Sequence, residues 1–123
     1  MAKILIVEDM RDGRKALIDK LASEGFDVLE AKNGKEGLEL ALKEHPDLIL
    51  LDIVVSEMGC MTMVEKLRRD KYGKSIPIIM FTNSNEIEKV SNVLKSGVYE
   101  YLVKSDWKIE SVVDRVREKL GIT

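Results

Sequence analysis

Leu48-Ile49-Leu50-Leu51-Asp52 decides how this chain is read, because four aliphatic residues in a row end abruptly in a carboxylate. An uninterrupted apolar run of this length, entered through His45-Pro46-Asp47, has the character of a strand covered on both faces of a parallel sheet. Its last residue then falls at the carboxyl edge of the sheet, where open α/β folds place their ligands. An aspartate at that place must be solvated, paired with a cation or used chemically, since an isolated buried charge is too costly to keep. An Asp that only caps the following loop is the plain alternative.

Towards the N-terminus the same pattern recurs. Lys3-Ile4-Leu5-Ile6-Val7 is a second aliphatic run that ends in carboxylates, Glu8 and Asp9. From about Arg11 to Glu24, Ala16, Leu17 and Leu21 fall at helical spacing, and Gly25 suits the left-handed residue after the last turn. Phe26 to Ala31 alternates more than the first run, as a strand nearer an edge does, and Asn33-Gly34 predicts a turn. Gly37, Leu38, Leu40, Ala41 and Leu42 mark a second helix, stopped by His45-Pro46.

Towards the C-terminus an apolar loop, Ile53 to Met58, precedes a helix from about Met61 to Tyr72, with Val64 and Leu67 inward, Arg68, Arg69 and Lys71 outward, and Gly73 as its stop. Pro77 to Thr82 is a third buried run, finishing on a hydroxyl. Asn85 caps a helix that carries Ile87, Val90 and Leu94 to Gly97. Tyr99 to Val103 is the last strand and runs into Lys104; Ser105 or Asp106 then caps a final helix with Ile109, Val112, Val113, Val116 and Leu120 as its inner stripe. Strand and helix alternate five times, which predicts a parallel sheet with right-handed crossovers and five helices on both faces, an α/β fold.

At 123 residues the chain is one domain's worth, able to bury about two thirds of its unfolded surface without a disulfide or metal staple. Twenty basic and 22 acidic residues are interspersed, with no basic stripe to track a phosphate backbone, so direct nucleic-acid binding is not expected. Cys60 has no second cysteine to pair with, no leader pattern precedes Ile4, and no apolar run approaches the ~20 residues that span a bilayer. The expectation is a cytoplasmic, single-domain protein over residues 1–123, with no output domain.

What stands at the strand ends is more informative: Glu8 and Asp9, then Asp52, then Thr82, then Lys104. Crowded carboxylates repel, so a cation is expected to neutralise them. Mg²⁺ fits, because it takes oxygen ligands, keeps several waters and is held by one or two carboxylates plus phosphate; with no His or Cys in the set, zinc does not. The lysine is a mobile point charge for a phosphoryl oxygen and the threonine a hydroxyl donor. Together these groups can take up a phosphoryl group as an aspartyl phosphate.

In this order, the residues resemble the receiver domain of two-component response regulators, over the whole chain. The family's acid pair, acceptor Asp, Ser/Thr and Lys match Glu8-Asp9, Asp52, Thr82 and Lys104, and Gly97 to Lys104 follows its Gly-x-x-x-aromatic-aliphatic-x-Lys wording, with Tyr101 at the aromatic switch position. The resemblance implies the flavodoxin-like strand order 2-1-3-4-5. It also implies that Asp52 accepts a phosphoryl group from a phosphohistidine on a sensor histidine kinase or histidine phosphotransfer protein. Asp9, Asp52 and the backbone carbonyl of Val54 would hold Mg²⁺, with Glu8 acting through water. Thr82 and Lys104 would bind phosphoryl oxygens, and a downstream protein would read the change. A protein of this kind is a signalling phosphoacceptor that catalyses only its own phosphotransfer and autodephosphorylation, rather than a turnover enzyme.

The family's Met-Pro and Met-(Asp/Asn)-Gly after the acceptor are replaced by Val55-Ser56-Glu57-Met58-Gly59-Cys60, its Lys-Pro by Lys104-Ser105, and its small residue after the threonine by Asn83. None of these changes removes a reacting group. The Lys104–Ser105 bond is expected trans, since cis before a non-proline residue costs roughly 2.5–4 kcal/mol. One rival is a phosphorylation-independent pseudo-receiver acting as a protein-interaction module. Another is an aspartyl-phosphate phosphatase, which wants a second Asp where Val54 stands; a flavin or nucleotide carrier lacks its phosphate loop after Val7. Met58, Cys60, Met61 and Met63 are expected to fill core gaps rather than bind a soft metal, His45 to be a surface residue at a helix end, and Trp107, at the start of the last helix, to pack against Tyr99 or the helix end rather than anchor a partner.

Overall fold

Five strands form one parallel sheet in the order β2-β1-β3-β4-β5. They are β1 (Lys3–Val7), β2 (Asp27–Ala31), β3 (Leu48–Asp52), β4 (Ile78–Thr82) and β5 (Glu100–Val103). The computed structural model describes residues 2–52, 57–82, 100–103 and 108–121, and within these lie four α-helices, α1 (Arg11–Ser23), α2 (Gly34–Glu44), α3 (Cys60–Arg68) and α4 (Ile109–Leu120). The helix expected from Asn85 to Ser96 lies outside the described residues. This is the flavodoxin-like α/β arrangement expected from the family resemblance.

The aliphatic runs form central strands because both of their faces are covered. Leu5 and Val7, Ile49 and Leu51, and Ile78 and Met80 join Leu38, Ala41, Met63, Val64 and Leu67 of α2 and α3 in one core. The alternate residues Ile4 and Ile6, Leu48 and Leu50, and Ile79 join Leu21, Val113 and Val116 of α1 and α4 in the other. Each large side chain so buried contributes about 1.5–3 kcal/mol of transfer free energy, and the residues after these strands are thereby fixed in place. β2 lies at the edge, with Asp27 and Glu30 exposed and Ala31 buried, in keeping with its alternating sequence.

Some local expectations are corrected. Asn33-Gly34 is not a free turn: the Asn33 side chain accepts a hydrogen bond from the Glu36 amide at 2.8 Å and caps α2, of which Gly34 is the first residue. Ala16 of α1 is exposed; Leu17 and Ile18 pack with Leu21 instead. α3 ends at Arg68, short of Tyr72, because the Asp70 carboxylate accepts from the amides of Tyr72 at 2.9 Å and Gly73 at 2.8 Å and turns the chain away from helix. Gly73 is needed for close approach, since a Cβ there would lie 2.3 Å from the Leu67 carbonyl oxygen. Arg68 does not simply point outward: its Nη1 donates to the carbonyls of Gly73 and Ile76 at 2.6 and 2.9 Å. α4 has Lys108 at its N-cap position with no side-chain cap, so it begins later than a Ser105 or Asp106 cap requires. Gly25, after α1, has the expected positive φ of 92°.

α1 and α4 are joined by an ion pair, Arg117 Nη2 to Glu24 Oε2 at 2.6 Å, with Lys20 on the other oxygen at 3.2 Å. The hydrogen bond from Arg117, then that from Lys20, holds the Glu24 carboxyl below the usual carboxylate range. A depressed folded-state pKa stabilises above the unfolded value, and this contribution is lost as pH falls through the folded one. Glu24→Gln should therefore reduce the steepness of stability loss on acidification, modestly because the pair is partly exposed. Urea midpoints measured from neutral to acid pH check this; parallel curves for parent and variant would contradict it.

Candidate functional site

Sheet register brings the strand ends together. Val7 pairs with Leu51, so Glu8 follows beside Asp52; Asp52 pairs with Phe81, one step before Thr82; and Thr82 pairs with Val103, one step before Lys104. Glu8 and Asp52 are only 1% and 5% exposed, while Asp9 is half-buried. Two carboxylates buried on neighbouring strands are costly unless other groups or a cation compensate them.

The two acids are placed by different means. Asp52 is the last residue of β3 and takes its position from the ladder. Glu8 continues β1 by one residue, its amide donating to the Ala31 carbonyl at 3.1 Å. The first turn of α1 then closes over it: a Cβ on Gly13 would come within 3.3 Å of Glu8 Oε1, so the carboxylate lies close against the helix. Arg14 Nη1 donates to the carbonyl oxygens of Glu8 at 2.9 Å and Asp9 at 3.4 Å, while its Nε faces Glu30 Oε2 at 3.9 Å. Sequence reasoning singled out neither Gly13 nor Arg14. The available signal was a glycine inside a helix, which costs about 1 kcal/mol relative to alanine and therefore calls for a reason.

Thr82 and Tyr101 are placed in the backbone of β4 and β5, Tyr101 opposite Met80. Their side chains, Val54, Lys104, the Lys104–Ser105 bond, Asn83 and Trp107 lie outside the described residues. The donors that are described are all carboxylate oxygens, which suits a hard divalent ion and not a soft one. Among the described residues no three His, Cys, Asp or Glu side chains are gathered as a complete metal site. Mg²⁺ does not require one, since one or two carboxylates with water and phosphate suffice.

The remaining candidates have structural uses. Cys60 and Met63 are buried in the core under α2 and α3, and Met58 and Met61 pack against it. His45 is exposed, closes α2 with a left-handed φ of 49°, and stacks on Tyr72 at 4.2 Å between ring centroids.

Comparison with known proteins agrees with this geometry. The family model of the response regulator receiver domain matches residues 4–117. The chain is 33% identical over 123 residues to the DNA-binding dual master transcriptional regulator RpaA of Synechocystis, covering all of this chain and 51% of that protein. It is 36% identical over 105 residues to protein PilH of Pseudomonas aeruginosa, covering 85% of this chain and 86% of PilH. The chain thus spans about half the length of the transcriptional regulators it matches. Among solved structures, the Vibrio cholerae chemotaxis protein CheY4 superposes with a TM-score of 0.87 at 29% identity, over 96% of this chain and 98% of that one. No helix among the described residues is long and apolar enough to cross a membrane.

Proposed function

Because this chain belongs to the response regulator receiver family, we propose that it is a phosphorylation-controlled switch whose acceptor is Asp52. What supports this reading is the register that sets buried Asp52 beside buried Glu8, with Thr82 paired to Val103 on the next strands. An Asp52 carboxylate oxygen attacks the phosphorus of a phosphohistidine on a histidine kinase or phosphotransfer protein. The P–O bond forms as the P–N bond breaks, and the imidazole leaves with the electron pair. Later attack by water on phosphorus returns the carboxylate and inorganic phosphate.

The residues fit Mg²⁺, which would supply charge neutralisation between the carboxylates and the incoming phosphoryl oxygens. Asp9, Asp52 and the Val54 carbonyl would hold it, and Glu8 would act through water. Lys104 and the Thr82 hydroxyl would bind phosphoryl oxygens, the threonine being drawn inward so that Tyr101 turns into the space it leaves. The signal would leave through the segment 85–96, β5 and α4 to a downstream protein. The proposed setting is cytoplasmic, and this domain would act without direct nucleic-acid contact of its own.

Incubation with acetyl phosphate and Mg²⁺ followed by intact mass tests the reading: a gain of one phosphoryl group is expected, and a chain that never gains it is a phosphorylation-independent interaction module. Magnesium should also stabilise the fold, by about 2.7 kcal/mol at a hundred times Kd; a melting temperature indifferent to magnesium counts against the site. Full switching needs differential stabilisation of about 5.5 kcal/mol, so partner binding completes what phosphorylation begins. Amide spectra with beryllofluoride should shift beyond the acidic edge, as far as Tyr101 and Val112; shifts confined to the loops around Asp9 and Asp52 would disprove this output route.

A further inference from the structure

We infer that Arg14 is a positioning residue of the acidic edge, its guanidinium clamping the Glu8–Asp9 turn in the arrangement that receives a divalent cation. The inference rests on the phosphoacceptor reading and extends it to a side chain outside the reacting set. The Glu8 amide is held by β2 through Ala31, and the Glu8 and Asp9 carbonyls are held by one nitrogen of Arg14. The peptide planes on either side of Asp9 are thereby fixed at their oxygens, which sets the direction in which that carboxylate leaves the chain. Gly13 completes the turn by letting the Glu8 carboxylate lie against α1.

The side chain is committed to this task, being only 15% exposed with its Nε turned towards Glu30 on β2. One guanidinium therefore ties together the end of β1, the first turn of α1 and β2. Its rigid plane puts one nitrogen on the two carbonyls while its Nε faces Glu30, a spread of donors that the single nitrogen of an ammonium lacks.

Two effects of removing Arg14 oppose each other. Loss of a positive charge near the carboxylates would tighten cation binding, whereas loss of the clamp would loosen it. The Nη1 donors are spent on carbonyl oxygens and Glu30 faces Nε, so the clamp should dominate. Groups that orient metal ligands typically account for 10–100-fold in affinity. Arg14→Met should accordingly weaken magnesium binding about tenfold, while phosphorylation at saturating magnesium approaches the parent's extent. Arg14→Lys, which keeps the charge and loses the planar spread of donors between the carbonyls and Glu30, should shift affinity in the same direction.

Calorimetric titration of the metal-free chain with MgCl₂, for parent and both variants, reads this directly. Amide shifts of Glu8, Asp9 and Met10 report the turn, and melting in the absence of metal reports the fold. Variants that melt like the parent, show displaced Glu8 and Asp9 amides and bind magnesium more weakly support the clamp. If Arg14→Met does not fold, Arg14→Lys decides by the same comparison. Affinity equal to or tighter than the parent's overturns the inference alone, whereas a parent chain that binds no magnesium overturns the phosphoacceptor reading beneath it.

Discussion

Gly34→Ala is expected to cost about 3 kcal/mol of stability, at the upper end of what overpacking usually costs, and to disturb the segment that leads away from Asp52. A Cβ at position 34 would lie 2.0 Å from the carbonyl oxygen of Met58 and 3.0 Å from its carbonyl carbon. Both are backbone atoms, so no rotamer change relieves the clash; either the start of α2 or the chain before α3 must move. Alanine's usual helical advantage over glycine, about 1 kcal/mol in a helix interior, is smaller than that penalty and weaker still at a first helical position. Met58 stands between the acceptor's loop and α3, so phosphorylation at Asp52 should slow as well. Gly59→Ala is the control, because nothing lies within 4 Å of a Cβ there. Urea denaturation of the two variants decides: equal midpoints would show that the two segments separate without cost.

That contact also explains where the sequence was legible and where it was not. Leu48 to Asp52 could be read because a strand buried on both faces needs nothing from its partners except apolarity, and the carboxylate that breaks the run announces a site. The same holds for Ile4 to Asp9. Asn33-Gly34 was misread because asparagine's side-chain acceptor serves a turn and a helix cap equally well. What distinguishes the cases is Met58, 24 positions away and brought close only by the fold. The end of α3 was misplaced for a related reason: Asp70 stops the helix by accepting amides locally, while Gly73 is required by Leu67. Arg14 escaped notice because its partners are backbone carbonyls, which carry no sequence signature. Apolar patterning thus located the acidic edge, and side-chain bonds to backbone, which patterning does not register, decided its fine geometry.

Asp52→Asn should abolish the gain of a phosphoryl group altogether. The carboxamide keeps the shape of the carboxylate at the end of β3 but lacks the anionic oxygen that attacks phosphorus, and the site also loses a charge that attracts the metal. Since Asp52 is buried beside Glu8, the variant removes one of two neighbouring negative charges and should fold, which a melting curve checks independently. Asp9→Asn and Glu8→Gln should behave differently: each leaves the nucleophile in place and weakens cation binding, so labelling falls in rate and is partly restored by more magnesium. Each tenfold loss of rate corresponds to about 1.36 kcal/mol of lost transition-state stabilisation. Mass spectrometry after acetyl phosphate treatment separates an abolished reaction from a slowed one, and EDTA should erase labelling in the parent. If Asp52→Asn still takes up one phosphoryl group, the acceptor is another residue of the acidic edge, with Asp9 and Glu8 the first to test in combination with it. If only the double variants fall silent, Asp52 serves the metal rather than the phosphoryl group, and the roles assigned to β1 and β3 must be exchanged.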